Sequence, residues 1–221
     1  MGQKWFNQCF LCTFTMPLFV AFLPFMLLPE AFPGIILASR SPRRRTLFSE
    51  TGFDVTICDL DADESFPEHL KDAEVAEYLA LKKAHAFNGD DTGRVLVCAD
   101  TIVVHEHLVL NKPVDEQDAF AMLSRLSGAV HKVFTGVCMK FGPHERVFHE
   151  ATEVHFRSMS DEEIRFYIKN FKPFDKAGSY GIQDWLGYTC VTRVNGCFYN
   201  VMGFPMSRFY RELKQFMSEV Q

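Results

Sequence analysis

The stretch IILASRSPRRR, residues 35–45, predicts a short buried strand, a tight turn and the first turn of a helix. Residues 35–38 are all apolar, which is typical of a strand inside a sheet. Ser41 is a good N-cap residue, and Pro42 suits the first helical position because its missing N–H has no partner there in any case. The helix is expected to end near Gly52.

This helix start gathers two serine hydroxyls, the guanidinium groups of residues 43–45 and free backbone N–H groups. Such a set suits a phosphate group, because the positive end of the helix dipole and the oriented N–H donors both favour an anion. An arginine-rich helix start can equally be an ordinary solvated surface. The stretch alone leaves both interpretations open.

The composition indicates a globular protein of moderate size. The chain has 221 residues, 48% of them hydrophobic, so it can bury a core as one large domain or two small ones. A formal net charge of −5 argues against a nucleic-acid-binding protein. Most of the seven cysteines lie in apolar runs, which favours reduced thiols and a cytoplasmic location. Cys9 and Cys12 have no second pair of ligands nearby, so a zinc or redox site there is not supported.

Residues 1–33 differ in composition from the rest of the chain. Residues 9–28 carry no charge and are long enough to cross a bilayer, which needs ~20 apolar residues. Pro17, Pro24 and Pro29 argue against a straight helix, and no signal-peptide cleavage site stands out. A membrane anchor or targeting segment, a disordered apolar leader and a misassigned gene start all stay open. We treat residues 34–221 as the folded domain.

After Gly34, apolar strand patterns alternate with helical patterns, which predicts an α/β fold. Helices are predicted at residues 72–88 and 115–127, from residue 160 onward, and at residues 204–217. Strands are predicted at residues 53–58, 95–104, 108–110, 131–141 and 146–157, with a final hairpin over residues 191–199 around an Asn-Gly turn.

Asp100 stands in the middle of the predicted strand at residues 95–104, between two apolar runs. A carboxylate in such a position is costly to bury without a partner, so its presence favours a functional role over an incidental one.

Nine polar side chains stand at predicted strand ends or in glycine-containing loops, five of them cationic and two acidic: Ser39, Arg43, Arg44, Glu64, Lys83, Asp100, Lys112, Lys176 and Gln183. The cations suit a chain of phosphates, and the acids suit Mg²⁺, which binds through one or two carboxylates and bridges phosphate oxygens. The chain has neither a P-loop nor a dinucleotide-binding glycine motif, which argues against a kinase, a GTPase or a dehydrogenase. The residues therefore indicate hydrolysis or transfer at a phosphate chain.

Seven short motifs follow one another in the chain: ASxSPRR at 38–44, DE at 63–64, LxKA at 81–84, ADT at 99–101, KP at 112–113, TGV at 135–137 and DKAGxYGIQ at 175–183. In this order they resemble the Maf family of nucleotide pyrophosphatases. They are also similar to the Maf-like half of acetylserotonin methyltransferase-like proteins, without a methyltransferase half. The resemblance runs from about residue 34 to the end.

The resemblance implies an elongated mixed β-sheet with flanking helices and two lobes around a nucleotide cleft, similar to inosine triphosphate pyrophosphatases. It implies hydrolysis of a nucleoside triphosphate between the α and β phosphates, releasing a monophosphate and pyrophosphate. It further implies a homodimer as the assembly, since family members often form dimers.

The resemblance also implies roles for the matching residues. Asp100, Glu64 and Lys83 would form the catalytic centre, with Asp100 as general base or metal-organising acid. Mg²⁺ or Mn²⁺ would be held by Glu64 and Asp100. Phosphates would be bound by side chains contributed from four motifs: Ser39, Arg43, Arg44, Lys112 and Lys176.

Arg43, Thr101 and Gln183 match the family subgroup that acts on dTTP and UTP, and a glutamine amide can pair with a base edge as both donor and acceptor. Two alternatives stay open: the same chemistry on modified nucleotides, and a nucleotide-binding regulator of cell division with little catalysis. Trp185 departs from the usual glycine-richer sequence, and we expect its bulk beside Gln183 to narrow or reshape the base pocket.

Overall fold

The computed structural model describes residues 31–220, which form an α/β fold around one seven-stranded sheet. The predicted anchor or leader covers residues 1–33, and its residues 1–30 lie outside the described residues. Phe32 belongs to the predicted N-terminal extension, yet its ring packs in the core against Phe53 and Tyr210, with centroids 5.8 and 5.9 Å away. Within residues 31–220, no helix combines the length and the apolar character needed to cross a membrane.

The elements follow the predicted order with two additions. The strands are β1 (Ile35–Ala38), β2 (Val55–Cys58), β3 (Val95–His105), β4 (Leu108–Leu110), β5 (Val130–Phe141), β6 (His144–Phe156) and β7 (Val191–Asn195). The helices are α1 (Pro42–Ser49), α2 (Ala73–Ala86), α3 (Glu116–Leu126), α4 (Asp161–Phe171), α5 (Trp185–Cys190), α6 (Phe198–Met202) and α7 (Met206–Val220). Helices α5 and α6 were not predicted.

The sheet is mixed, as predicted. Its strand order is β2-β1-β3-β5-β6-β7, with β4 attached to β3. The pairs β2-β1 and β1-β3 are parallel, whereas β4, β5, β6 and β7 join by antiparallel pairing. Three long strands, β3, β5 and β6, therefore form a continuous spine to which the shorter strands attach.

One edge of β3 is interrupted, and this interruption positions the site. Strand β1 pairs with residues 95–97 of β3, and β4 pairs with residues 103–105 on the same edge. Among the described strands, residues 98–102 pair with β5 alone. The chain that leaves β1 at Ser39 and the chain that leaves β4 before Lys112 enter this gap from opposite ends.

The apolar core on one face of the sheet consists of two separate clusters, with a cleft between them at the gap. On one face of the sheet, α1 and α7 cover the first half of β3 through a cluster that includes Val97 and Phe209. On the same face, α3 and α4 cover the second half through a separate cluster that includes Val103 and Tyr167. Helix α2 covers the opposite face. The two clusters correspond to the two predicted lobes, and the cleft lies between them.

The predicted arm of a hairpin at residues 197–199 is wrong, because the chain forms α6 there. The turn itself is present after β7, but the chain then folds back onto the sheet face. Asn200 is fully buried, and its side-chain amide donates to Val133 O and Thr152 Oγ1, both at 3.0 Å. Cys197 N also donates to Thr152 Oγ1 at 3.0 Å. These distant partners outweigh the local preference for a hairpin.

Candidate active site

A single cleft at the gap in β3 collects all of the predicted site residues. The β1–α1 turn, the loop after β2, the end of α2, the middle of β3, the loop after β4 and the loop before α5 all contribute to its lining. The predicted residues that line it are Ser39, Arg43, Arg44, Glu64, Lys83, Asp100, Thr101, Lys112, Lys176 and Gln183.

Four charged side chains alternate along the gap. Lys83 Nζ on α2 donates to Asp100 Oδ1 on β3, and also to Glu64 Oε1 at 3.0 Å. Lys112 Nζ donates to both oxygens of Glu64, at 3.0 and 2.8 Å. Each acid therefore has a lysine partner, which offsets the free energy lost when charges leave bulk water.

Glu64 is held in its ionised form. Its partial burial would raise the pKa of the carboxyl, but the hydrogen bond from Lys112 and the charge of Lys83 outweigh burial and lower the pKa to about 2. Glu64 is therefore a carboxylate throughout the physiological pH range, and it reaches the same ammonium group as Asp100.

The donor set at this point fits a magnesium ion that also binds phosphate. Glu64 and Asp100 supply hard oxygen ligands within reach of one another, since both contact Lys83. Within residues 31–220, no cluster of three or more His, Cys, Asp or Glu side chains could hold a metal by itself. Two carboxylates with the remaining positions left to water and phosphate are the usual pattern for Mg²⁺, which rarely occupies an all-protein cage.

The start of α1 faces the cleft, as the sequence predicted. Ser41 Oγ caps the helix by accepting from Arg44 N at 3.5 Å, and Ser39 Oγ accepts from Ser41 N at 3.2 Å. The carbonyl of Ser39 accepts two hydrogen bonds from Arg45, at 3.1 and 2.9 Å. These short-range bonds fix the turn that presents Arg43 to the cleft.

Arg44 is buried and joins three separate parts of the chain. Its Nε donates to Gly203 O at 2.8 Å, Nη1 donates to Ala99 O at 2.9 Å, and Nη2 donates to Thr101 Oγ1 at 2.9 Å. The bond to Ala99 satisfies a carbonyl exposed by the gap in β3. Burial lowers the pKa of Arg44, an effect that the nearby Asp100 charge opposes. Three of its five N–H groups thus contact protein, so the predicted phosphate contact depends on the remaining two.

Arg43 and Lys176 share one carboxylate at the other side of the cleft. Asp175 Oδ2 accepts from Arg43 Nη1 at 2.8 Å, and its Oδ1 accepts from Lys176 Nζ at 2.8 Å. Asp184 Oδ2 lies 3.7 Å from Lys176 Nζ. The sequence motif containing Asp175 was noted above. The ion pair between Asp175 and Arg43 could not be predicted from it, because the two residues are 132 positions apart.

One part of the cleft is largely apolar. Its lining comes from β3, β5, α6 and the loop before α5: Val103, Val133, Tyr180, Gly181, Val201 and Met202. Sequence reasoning missed the two α6 residues because it predicted a hairpin there. Gln183 also lines the cleft, and within the described part of the chain its Oε1 is buried without a hydrogen-bond partner. A buried amide oxygen of this kind is available to a ligand.

Two buried tyrosines hold the loop that carries Lys176 and Gln183. Tyr167 OH donates to Asp184 Oδ2 at 2.9 Å and accepts from Gly181 N at 3.1 Å. Tyr180 OH lies 2.7 Å from His131 Nε2. Burial lowers the pKa of His131 to about 3, so this histidine is uncharged at neutral pH. The loop is therefore anchored by core contacts.

Trp185 does not line the cleft, which contradicts the expectation that its bulk beside Gln183 narrows the base pocket. Its ring packs edge-on against Phe166 of α4 with centroids 5.0 Å apart, and it joins the cluster beneath α3 and α4. It is absent from the residues that line the cleft.

Comparisons with known proteins show which family the chain belongs to. The Maf-like protein family matches residues 34–216. The dTTP/UTP pyrophosphatase of Cytophaga hutchinsonii is 45% identical over 188 residues, which covers 85% of this chain and 86% of that protein. The dTTP/UTP pyrophosphatases of Bacteroides thetaiotaomicron and Phocaeicola vulgatus are each 46% identical over 183 residues, covering 82% of this chain and 95% of theirs. The resemblance noted in the sequence is confirmed, and this chain belongs to the Maf family.

Proposed function

We propose that this protein hydrolyses dTTP and UTP to the nucleoside monophosphate and pyrophosphate. The observation that carries the proposal is the alternating set of Asp100, Lys83, Glu64 and Lys112 in the gap of β3. The names of the similar bacterial proteins support the choice of substrates.

The charged part and the apolar part of the cleft suit the two ends of a nucleoside triphosphate. Cationic side chains from α1, α2 and two loops surround the charged end, where phosphates would bind. The apolar end, with the unpartnered Gln183 Oε1, suits a flat base that offers an N–H donor. In this orientation we place the α-phosphate beside Asp100.

Asp100 is our candidate for general base. Lys83 occupies Oδ1, so we assign Oδ2 as the atom that accepts a proton from the attacking water. The water oxygen would form a bond to the α-phosphorus as the bond from that phosphorus to the bridging oxygen breaks. Pyrophosphate would leave with the electron pair, and Arg43, Lys112 and Lys176 would neutralise its charge.

We also propose Mg²⁺ or Mn²⁺ as cofactor, held by Glu64 and Asp100. The ion would supply charge neutralisation of the phosphate oxygens when bound. A cytoplasmic location is proposed from the cysteines, since all five within the described residues are free thiols. A homodimer stays a prediction from the family resemblance, and light scattering on the purified full chain tests it.

The proposed activity is tested by measuring pyrophosphate release from a panel of canonical and modified triphosphates with Mg²⁺ or Mn²⁺. We expect dTTP and UTP to give the highest kcat/KM, with a monophosphate as the second product. Release of orthophosphate would contradict the assigned bond cleavage. A modified nucleotide hydrolysed faster than dTTP would contradict the proposed substrates, and dTTP binding without hydrolysis would identify a regulator instead.

Replacing Gln183 with alanine is expected to reduce the preference for dTTP and UTP over purine triphosphates by about tenfold, the effect of one lost hydrogen bond to a base edge. The rate of hydrolysis at saturation should change much less, because proton transfer and charge neutralisation are assigned to other side chains. The ratio of kcat/KM values measures the preference. Gln215→Ala on the exposed side of α7 is the control, and an unchanged ratio in Gln183→Ala would remove Gln183 from base recognition.

A further inference from the structure

We propose that Asp175 is a built-in competitor of the substrate's phosphates, occupying Arg43 and Lys176 in the free protein and leaving them when a polyphosphate binds. The inference rests on the proposed function for the identity of the anion. It assigns to Asp175 a role different from that of every other residue in the cleft.

The contacts of Asp175 resemble those of a phosphate group. Its two oxygens each accept one hydrogen bond from a different cation, at 2.8 Å to Arg43 Nη1 and 2.8 Å to Lys176 Nζ. Two charge-assisted bonds from separate cations to neighbouring oxygens are also how phosphate is bound in proteins. The carboxylate therefore stands where one phosphate of the chain would make the same contacts.

The two cations are more deeply buried than the acid that joins them. The side chains of Arg43 and Lys176 are 22% and 12% exposed, whereas that of Asp175 is 52% exposed. Asp175 also lies in a turn between α4 and the 3-10 helix Ala177–Ser179, outside regular secondary structure. The cations are thus set into the cleft, and the acid above them can turn toward water without unfolding any element.

Lys176 keeps a partner if Asp175 leaves. Asp184 Oδ2 lies 3.7 Å from Lys176 Nζ and is itself held by Tyr167 OH at 2.9 Å. This second carboxylate is less exposed, at 19%, and fixed to the core. Displacement of Asp175 would therefore leave Lys176 held in place by Asp184, with its Nζ able to donate to a phosphate oxygen in place of Asp175 Oδ1.

The direction in which anion affinity changes when the charge of Asp175 is removed distinguishes a competitor from a residue that only positions its partners. A competitor lowers the affinity of the site for anions, so removing its charge must strengthen anion binding. A residue that only positions Arg43 and Lys176 has the opposite effect, because its loss lets both cations move. Asp175→Asn keeps the size of the side chain and removes its charge, which makes it the informative substitution.

The experiment is calorimetric titration of the full chain with inorganic pyrophosphate, in the wild-type protein, in Asp175→Asn and in Asp54→Asn. Asp54 is an exposed acid paired with Arg94 at 3.5 Å, and neither residue lines the cleft, so it controls for net charge. We expect Asp175→Asn to bind pyrophosphate roughly three- to tenfold more tightly, the effect of two lost partly exposed ion pairs, and Asp54→Asn to be unchanged.

Weaker or unchanged pyrophosphate binding by Asp175→Asn would overturn the proposal. Asp175→Ser provides the same test if the asparagine variant does not fold, with thermal unfolding as the check. In steady-state assays, product inhibition by pyrophosphate should strengthen by the same factor. If Asp175→Asn binds pyrophosphate more tightly but the wild-type protein hydrolyses no triphosphate, the competitor role is supported and the proposed function is refuted. The two proposals can therefore fail separately.

Discussion

Asp100→Asn is expected to lower the rate of pyrophosphate release from dTTP by about a thousandfold, the middle of the range for loss of a general base. An asparagine amide has nearly the same shape but cannot accept the proton of the attacking water at neutral pH. Without a divalent ion, the variant should still bind dTTP at least as well as the wild type, because a negative charge beside the phosphates has been removed. Single-turnover pyrophosphate release and calorimetric dTTP binding measure the two quantities.

The control for Asp100→Asn is the same substitution at Asp54, an exposed residue outside the cleft. It changes the net charge equally and should leave the rate unaltered. A wild-type rate in Asp100→Asn would exclude Asp100 from proton transfer. Loss of both binding and turnover would instead show that the ion pair with Lys83 is needed to form the cleft.

Gly136→Ala is expected to destabilise the protein by about 1–3 kcal/mol, as overpacking of a tight core contact does, and to reduce turnover as well. Gly136 lies directly opposite Asp100 in the β3-β5 register. Helix α2 passes so close that an added Cβ would lie 2.2 Å from Ala76 O and 2.6 Å from Glu77 N. Since backbone cannot yield as a side chain can, α2 must move, and Lys83 moves with it away from Asp100.

Urea unfolding and kcat for dTTP hydrolysis measure these effects. Gly34→Ala is the matched control, because the three atoms nearest to a Cβ there belong to the Arg94 and Asp54 side chains, which can move aside. We expect its unfolding free energy to stay within about 0.5 kcal/mol of the wild type. Wild-type stability and rate in Gly136→Ala would mean that close packing of α2 on β5 is not required.

Local sequence signals predicted most of the elements correctly. Side-chain caps are present at Ser41, Asp115 and Ser160, the last in a capping box with Glu163. The cap expected from Asp72 at the start of α2 is wrong, because its side chain makes no cap hydrogen bond. These signals succeed because a cap bonds to a backbone N–H only three residues away. The hairpin at residues 197–199 failed for the opposite reason, since Asn200 is held by β5 and β6 partners 67 and 48 residues away.

The order of motifs identified the residues of the cleft better than any property of the individual residues. Ten predicted side chains line one cleft, although the first and last are more than a hundred positions apart in the chain. Their separate roles stay predictions, which the substitutions above test. Side-chain chemistry alone indicated phosphate but left the solvated alternative open for the start of α1.

By itself, the sequence determined the family, the alternation of strands and helices, the helix start that presents Arg43, and the placement of an acid in the middle of β3. Only the tertiary structure decided that β1 and β4 leave a gap beside that acid and that Arg44 donates a hydrogen bond to Gly203 O. It also decided that Asp175 bridges Arg43 and Lys176. The physical reason is separation along the chain. Caps and strand patterns depend on near neighbours, whereas the partner of a charged group in the cleft lies 132 or 159 residues away and is chosen by the fold.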